Sequence, residues 1–142
     1  MAAGAFRLFA AGKKAIANGK FNLTSSTLKA GLYKSTSNCS ASNLAVTTMG
    51  SITVPLSQTN YARKTVGGKT VSIVSGSTVT FDCSDLVWTA TVSTFGSIMY
   101  LVIGFSASAP LCWSKLTTAA FNLAVGNTLT VQINSSGVFT LV

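Results

Sequence analysis

Asp82 and Asp85 are the only side-chain carboxylates in 142 residues that also carry ten lysines and arginines. They lie three positions apart in TVTFDCSDLVW, residues 78–88. Paired carboxylates can cleave a glycosidic bond, but they must flank the sugar at a fixed separation and are normally held on different strands. Two acids this close in one segment fit a turn better: Asp82 can accept the backbone N–H of Ser84 or Asp85, closing a short capped turn that leaves Trp88 at the start of the next strand. Weak Ca²⁺ binding is the runner-up for the pair. The chain has no histidine, which removes the commonest general base, the commonest metal ligand and every Ser-His or Cys-His nucleophile pair. Two acids cannot build a di-metal centre. Cys39, Cys83 and Cys112 are odd in number and form no CxxC pair, so they read as buried thiols rather than as a disulfide framework or a zinc site. No catalytic residue, metal site or cofactor is expected, and the chain is read as not an enzyme.

Three further string matches dissolve on inspection. Ser26-Thr27-Leu28-Lys29 matches the S-x-x-K of penicillin-binding enzymes but lacks the partner motifs. Gly67-Gly68-Lys69-Thr70 echoes the end of a phosphate-binding loop, yet Arg63 stands where its first glycine belongs, and a Gly-Gly turn between strands explains it with less. Sequons at Asn22, Asn38 and Asn134 are chance matches in a chain rich in Ser, Thr and Asn.

Charge is more informative. The formal net charge is +8, and six of the ten cations (Arg7, Lys13, Lys14, Lys20, Lys29 and Lys34) fall in residues 1–34, which hold no acid. This cationic N-terminal arm should be drawn to an anionic surface in a salt-dependent way. Arg63, Lys64 and Lys69 form a second basic cluster around Tyr61, which leaves a nucleic-acid face open although its interleaved aromatics are sparse. The opening MAAGAFRLFAAGKKAIA reads poorly as a secretory signal, because Arg7 interrupts the apolar stretch. The longest apolar run, MYLVIGF, is far shorter than a spanning helix needs. The expectation is a soluble protein made in a cytoplasm, with no membrane partner.

Hydrophobic residues make up 48% of the chain against 8% charged, with Ser, Thr, Asn and Gly filling the remainder. That mix favours β-branched strands and short turns over helical bundles. A helix is predicted from about Ala5 to Asn18, with Asn18-Gly19 as its C-cap. Strands are predicted in TLKAGLY, LAVTTMGSITV, TVSIV, TVTF, LVWTATV, SIMYLVIGF and TLTVQI, separated by Gly, Asn, Ser, Pro55 and Pro110. The run SIMYLVIGF is apolar on both faces, so it is central in the core or covered on its outer side. The predicted fold is all-β: an antiparallel β-sandwich, jelly-roll-like or small-barrel domain over 21–142, preceded by a basic N-terminal arm or helix over 1–20.

Three stretches, AIANGKFNLTSSTLKAGLYKST, YARKTVGGKTVSIVSGSTVTFDCSDLVWTATV and VGNTLTVQINSSGVFTLV, resemble a family of small virion structural proteins of tailed bacteriophages. The matching positions are Asn22, Leu23, Leu28, Lys29, Leu32, Gly67, Gly68, Lys69, Phe81, Asp82, Asp85, Trp88, Asn134 and Gly137; residues Thr36–Gln58 match poorly. The resemblance implies a capsid decoration, or cement, protein that binds the outer shell in many copies. Its partner would be the major capsid protein, its oligomer a homotrimer on a symmetry axis, and its location the virion capsid surface after synthesis in the host cytoplasm. Arg7, Lys13, Lys14, Lys20, Arg63, Lys64 and Lys69 are the candidate contact residues for an acidic shell. The alternatives are a tail, neck or fibre component of the virion and a basic nucleic-acid-binding module; nucleic acid is the less favoured partner, and an enzyme ranks last.

Overall fold

A computed structural model describes residues 1–40, 45, 47–105 and 109–141. The chain is mostly β, as its composition predicts, in a sandwich-like arrangement of antiparallel sheets with one short helix near the N-terminus. The larger sheet contains β1 (Phe6–Leu8), β2 (Lys29–Lys34), β3 (Lys64–Thr65), β7 (Phe95–Gly104) and β8 (Pro110–Lys115), in the order β1-β8-β7-β2-β3, and β9 (Phe121–Leu123) also pairs with β7. Facing it are a three-stranded sheet and a two-stranded one. The first is ordered β11 (Phe139–Leu141), β5 (Thr78–Asp82), β4 (Thr70–Ser75); the second pairs β10 (Thr128–Val131) with β6 (Leu86–Thr89).

The main core lies between these layers. Leu32, Ile98, Leu101, Ile103 and Leu111 from the large sheet meet Phe81, Leu86, Trp88, Leu129, Val131 and Phe139 from the smaller ones. Period-2 alternation explains why: in β6, Leu86 and Trp88 are buried while Val87 and Thr89 are exposed. The strand β7, read as apolar on both faces, is the centre of the large sheet and is covered on both. Leu101 and Ile103 face the main core, and Val102 joins a second cluster with Phe9, Tyr33, Cys39, Met49, Ile52 and Trp113. Cys39, Met49 and Ile52 come from the tract 36–58, so the chain itself closes the back of the sheet.

Several local expectations change. The helix α1 (Ala10–Ala17) starts later than predicted, because Phe6–Leu8 pairs with β8 in the register Phe6↔Ser114 and Leu8↔Cys112. Its end is as predicted: Asn18 caps it, and Gly19 takes φ +64°. The Gly19 N–H then bonds to Ile16 O and the Lys20 N–H to Ala15 O, satisfying two terminal carbonyls. Gly12 lets the helix lie on the backbone of β8, where a Cβ would sit 2.6 Å from Leu111 O. Of the predicted strand LAVTTMGSITV, Leu44 and Val46 lie outside the described residues, and Met49–Ser51 is a 3₁₀ turn. Pro110, read as a separator, instead opens β8 where the pairing with β7 shifts register, a strand position that needs no N–H donor.

Candidate interaction surfaces

The two carboxylates are backbone acceptors on different joints. Asp82 ends β5, and its Oδ1 accepts the N–H of Cys83 at 2.8 Å, while the N–H of Ser84, one of the two partners predicted for it, goes to Gly67 O at 3.0 Å. Asp85 Oδ1 accepts the N–H of Ile133 at 2.8 Å, fixing the chain beyond β10 to the start of β6. Among the described residues no ion pair joins either acid to a lysine or arginine, and no group of three potential metal ligands occurs. The sequon asparagines serve turns and loops: Asn22 Oδ1 accepts from Thr24 and Ser25, Asn134 Oδ1 accepts from Ser136, and Asn38 Oδ1 accepts from Thr53.

All three cysteines are free and buried. Burial pushes the Cys83 thiol up to about 12, with Asp82 and Asp85 adding to the rise. It raises Cys112 and Cys39 as well, the Ser37 hydroxyl partly offsetting the effect at Cys39. Since the thiolate is the reactive form, native protein at pH 8 should leave all three thiols unmodified by a disulfide reagent, and denaturant should release three equivalents. Rapid labelling before unfolding would contradict this.

The seven candidate cations do not form one site. Arg7 and Lys13 are exposed and share a groove of about 650 Å³ between β1 and β11, lined also by Ser136, Val138 and Thr140. Lys14 and Lys20 are exposed and line a second groove, of about 460 Å³, beside α1 with Phe21 and Ala109. There Lys20 Nζ stands 5.5 Å from the centre of the Phe21 ring, which stacks on Phe105 at 4.3 Å. The predicted cluster around Tyr61 is divided: Arg63 donates to Tyr33 Oη at 3.0 Å, Lys69 donates to the Ser26 carbonyl, both half-buried, and Lys64 on β3 is exposed. Tyr61 Oη accepts the Leu32 N–H at 2.6 Å, and burial pushes its hydroxyl up to about 12. Arg63 and Tyr61 are therefore part of the packing against β2, where Gly31 leaves them room.

One surface went unnoticed in the sequence. Every residue of β4 is exposed, and Val71, Ile73 and Val74 are 43%, 75% and 65% accessible. The signal was present in TVSIV, whose apolar residues occupy both faces of a strand with no charge to mark the outer one.

A family model, Pilin (bacterial filament), matches residues 2–95, well over half of the chain. No curated protein and no solved structure matches it. The match overturns the resemblance to phage virion proteins, and with it the capsid decoration reading, the major capsid protein as partner, the homotrimer and the virion surface location. The matched segment contains most of the short motifs on which that resemblance rested, and strings of a few turn and strand residues recur wherever the same turns are needed. A net positive charge, likewise, attracts any anionic surface and specifies none. Of the sequence readings, a fibre component comes nearer to the finding than a capsid cement. The chain belongs to the pilin family of bacterial filament proteins.

Proposed function

We propose that this chain is a non-enzymatic subunit that self-assembles into a filament on the surface of a bacterial cell. The observation that carries the reading is the family match over residues 2–95. Two features support it. The absence of histidine and the engagement of both carboxylates by backbone N–H groups leave little for acid–base or metal chemistry to use. The exposed apolar strand β4 offers a surface suited to contact between copies.

The partner is other copies of the same chain. Repetition of one contact that does not close on itself generates an open helical polymer, which is the geometry a filament needs. An antibody to the folded domain, applied to intact cells that produce the protein, should decorate elongated appendages by immunogold microscopy. Label confined to the cell interior would refute the reading.

A further inference from the structure

The outer face of the three-stranded sheet gathers hydroxyls without cations. Alternation sends Phe81 and Phe139 into the core, so their neighbours Thr80, Asp82 and Thr140 point outward. Register sets Ser72 beside Thr80 and Thr80 beside Thr140, a row of hydroxyls across β4, β5 and β11, and sets Thr70 beside Asp82 in the next row. These side chains line a trough of about 350 Å³ together with the turn that carries Ser136 and Gly137.

Thr80 marks the trough as more than a wetted sheet face. It is only 7% exposed, yet its hydroxyl has no hydrogen-bond partner among the described residues. Among those residues Trp113 Nε1 is the side-chain polar atom that is both sealed from solvent and unpartnered, so the Thr80 hydroxyl keeps an opening, and it opens into the trough. Its methyl is pinned against the turn: a Cβ at Gly137 would stand 2.5 Å from Thr80 Cγ2, and Gly137 also takes φ +86°. A hydroxyl held this way costs stability unless something entering the trough bonds to it. The hydroxyls of Thr70, Ser72 and Thr140 are likewise without partners among the described residues. Asp82 spends Oδ1 on the Cys83 N–H at 2.8 Å and has Oδ2 left over. No lysine or arginine lines the trough, and Lys69, the residue before Thr70, is turned onto the Ser26 carbonyl.

We propose that this trough binds an uncharged saccharide. A serine or threonine hydroxyl both donates and accepts, as each sugar hydroxyl does, so an array of them can be satisfied by a polyol in a way that a one-sided donor or acceptor cannot match. Neighbouring strands hold Ser72, Thr80 and Thr140 about 4.8 Å apart, close to the separation of equatorial hydroxyls on alternate carbons of a pyranose ring. Asp82 adds a charged acceptor, which bonds a sugar hydroxyl more strongly than a neutral one does. Val74, 65% exposed in the lining, offers apolar surface to the C–H side of the ring. Uronates and phosphates are disfavoured, because they would meet the Asp82 carboxylate with no cation beside it. A simple ammonium ion could pair with Asp82 but would leave the Thr80 row unused. The site does not rest on the filament reading, since it needs only the folded domain.

Saturation-transfer difference NMR on the full chain tests this, with maltose, lactose and cellobiose as probes and glucuronate and methylammonium as controls. At least one neutral disaccharide should take up saturation, and glucuronate and methylammonium should not. Thr80→Val keeps the shape and removes the hydroxyl, so it should weaken the binding by about tenfold, while Thr80→Ser restores the hydroxyl and most of the affinity. Lys20→Gln, in the groove beside α1, should change nothing. Circular dichroism confirms that each variant folds. Transfer to none of the three disaccharides, equal transfer to glucuronate or methylammonium, or wild-type affinity in Thr80→Val would overturn the site. None of these results bears on whether the chain forms filaments.

Discussion

Replacing Trp88 by alanine is expected to lower the stability of the fold by about 3–5 kcal/mol, a large share of the roughly 5–15 kcal/mol that natural domains possess. Trp88 is 1% exposed and sits in the main core on β6, directly opposite Leu129 of β10. Its Nε1–H donates to Ala62 O at 3.0 Å, so the same ring also anchors the segment that carries Tyr61 and Arg63 to β2. Truncation removes the packing and leaves a polar carbonyl without its donor. Phenylalanine keeps most of the volume and loses only the hydrogen bond, so it should cost about 1–3 kcal/mol. Urea unfolding followed by circular dichroism separates the cases. A midpoint unchanged in Trp88→Ala would mean that the two layers are not held together as described.

The second large effect is on assembly. The chain has ten cations against two acids, and both acids are turned to backbone N–H groups. Copies that pack into a filament therefore bring largely uncompensated positive charge together. Arg7 and Lys13 crowd one groove, Lys14 and Lys20 another, all exposed. Salt shortens the reach of that repulsion from about 30 Å at 0.01 M to about 10 Å at 0.1 M. Raising ionic strength over that range should lower the concentration needed for assembly, by about tenfold, as read by sedimentation of polymer. Replacing Arg7, Lys13, Lys14 and Lys20 by glutamine should reproduce much of the gain at low salt. Attachment of a cationic protein to an acidic surface weakens with salt, so the opposite trend would point to an anionic partner and against self-assembly through neutral contacts.

Much of the fold was legible because the strands β6 and β10 alternate cleanly and the helix ends at Asn18-Gly19. The missed strands failed for identifiable reasons. β1, β9 and β11 are three residues each, too short for a period to show, and β3 has two. β8 is buried on both faces over Pro110–Ser114, so it does not alternate, and its opening proline imitates a break. The tract 36–58 was invisible as a cover because Cys39, Met49 and Ile52 have no common period and meet only when the chain folds back over Val102 and Trp113.

The candidate site was less legible than the fold. Residue type shows that Asp82 and Asp85 are rare, but not that Asp85 reaches Ile133, 48 positions away. Nor does spacing reveal that Arg63 and Lys69, read as part of one basic cluster, donate to Tyr33 and Ser26 respectively. The exposed edge at β4 depends on which strand ends the sheet, and strand order is set by pairing across the whole chain.

Electron microscopy of the purified full-length chain, negatively stained over a range of concentration and salt, tests the central claim most directly. The account predicts elongated filaments of uniform width, appearing more readily as salt rises. Monomers or small closed particles under all these conditions would contradict it.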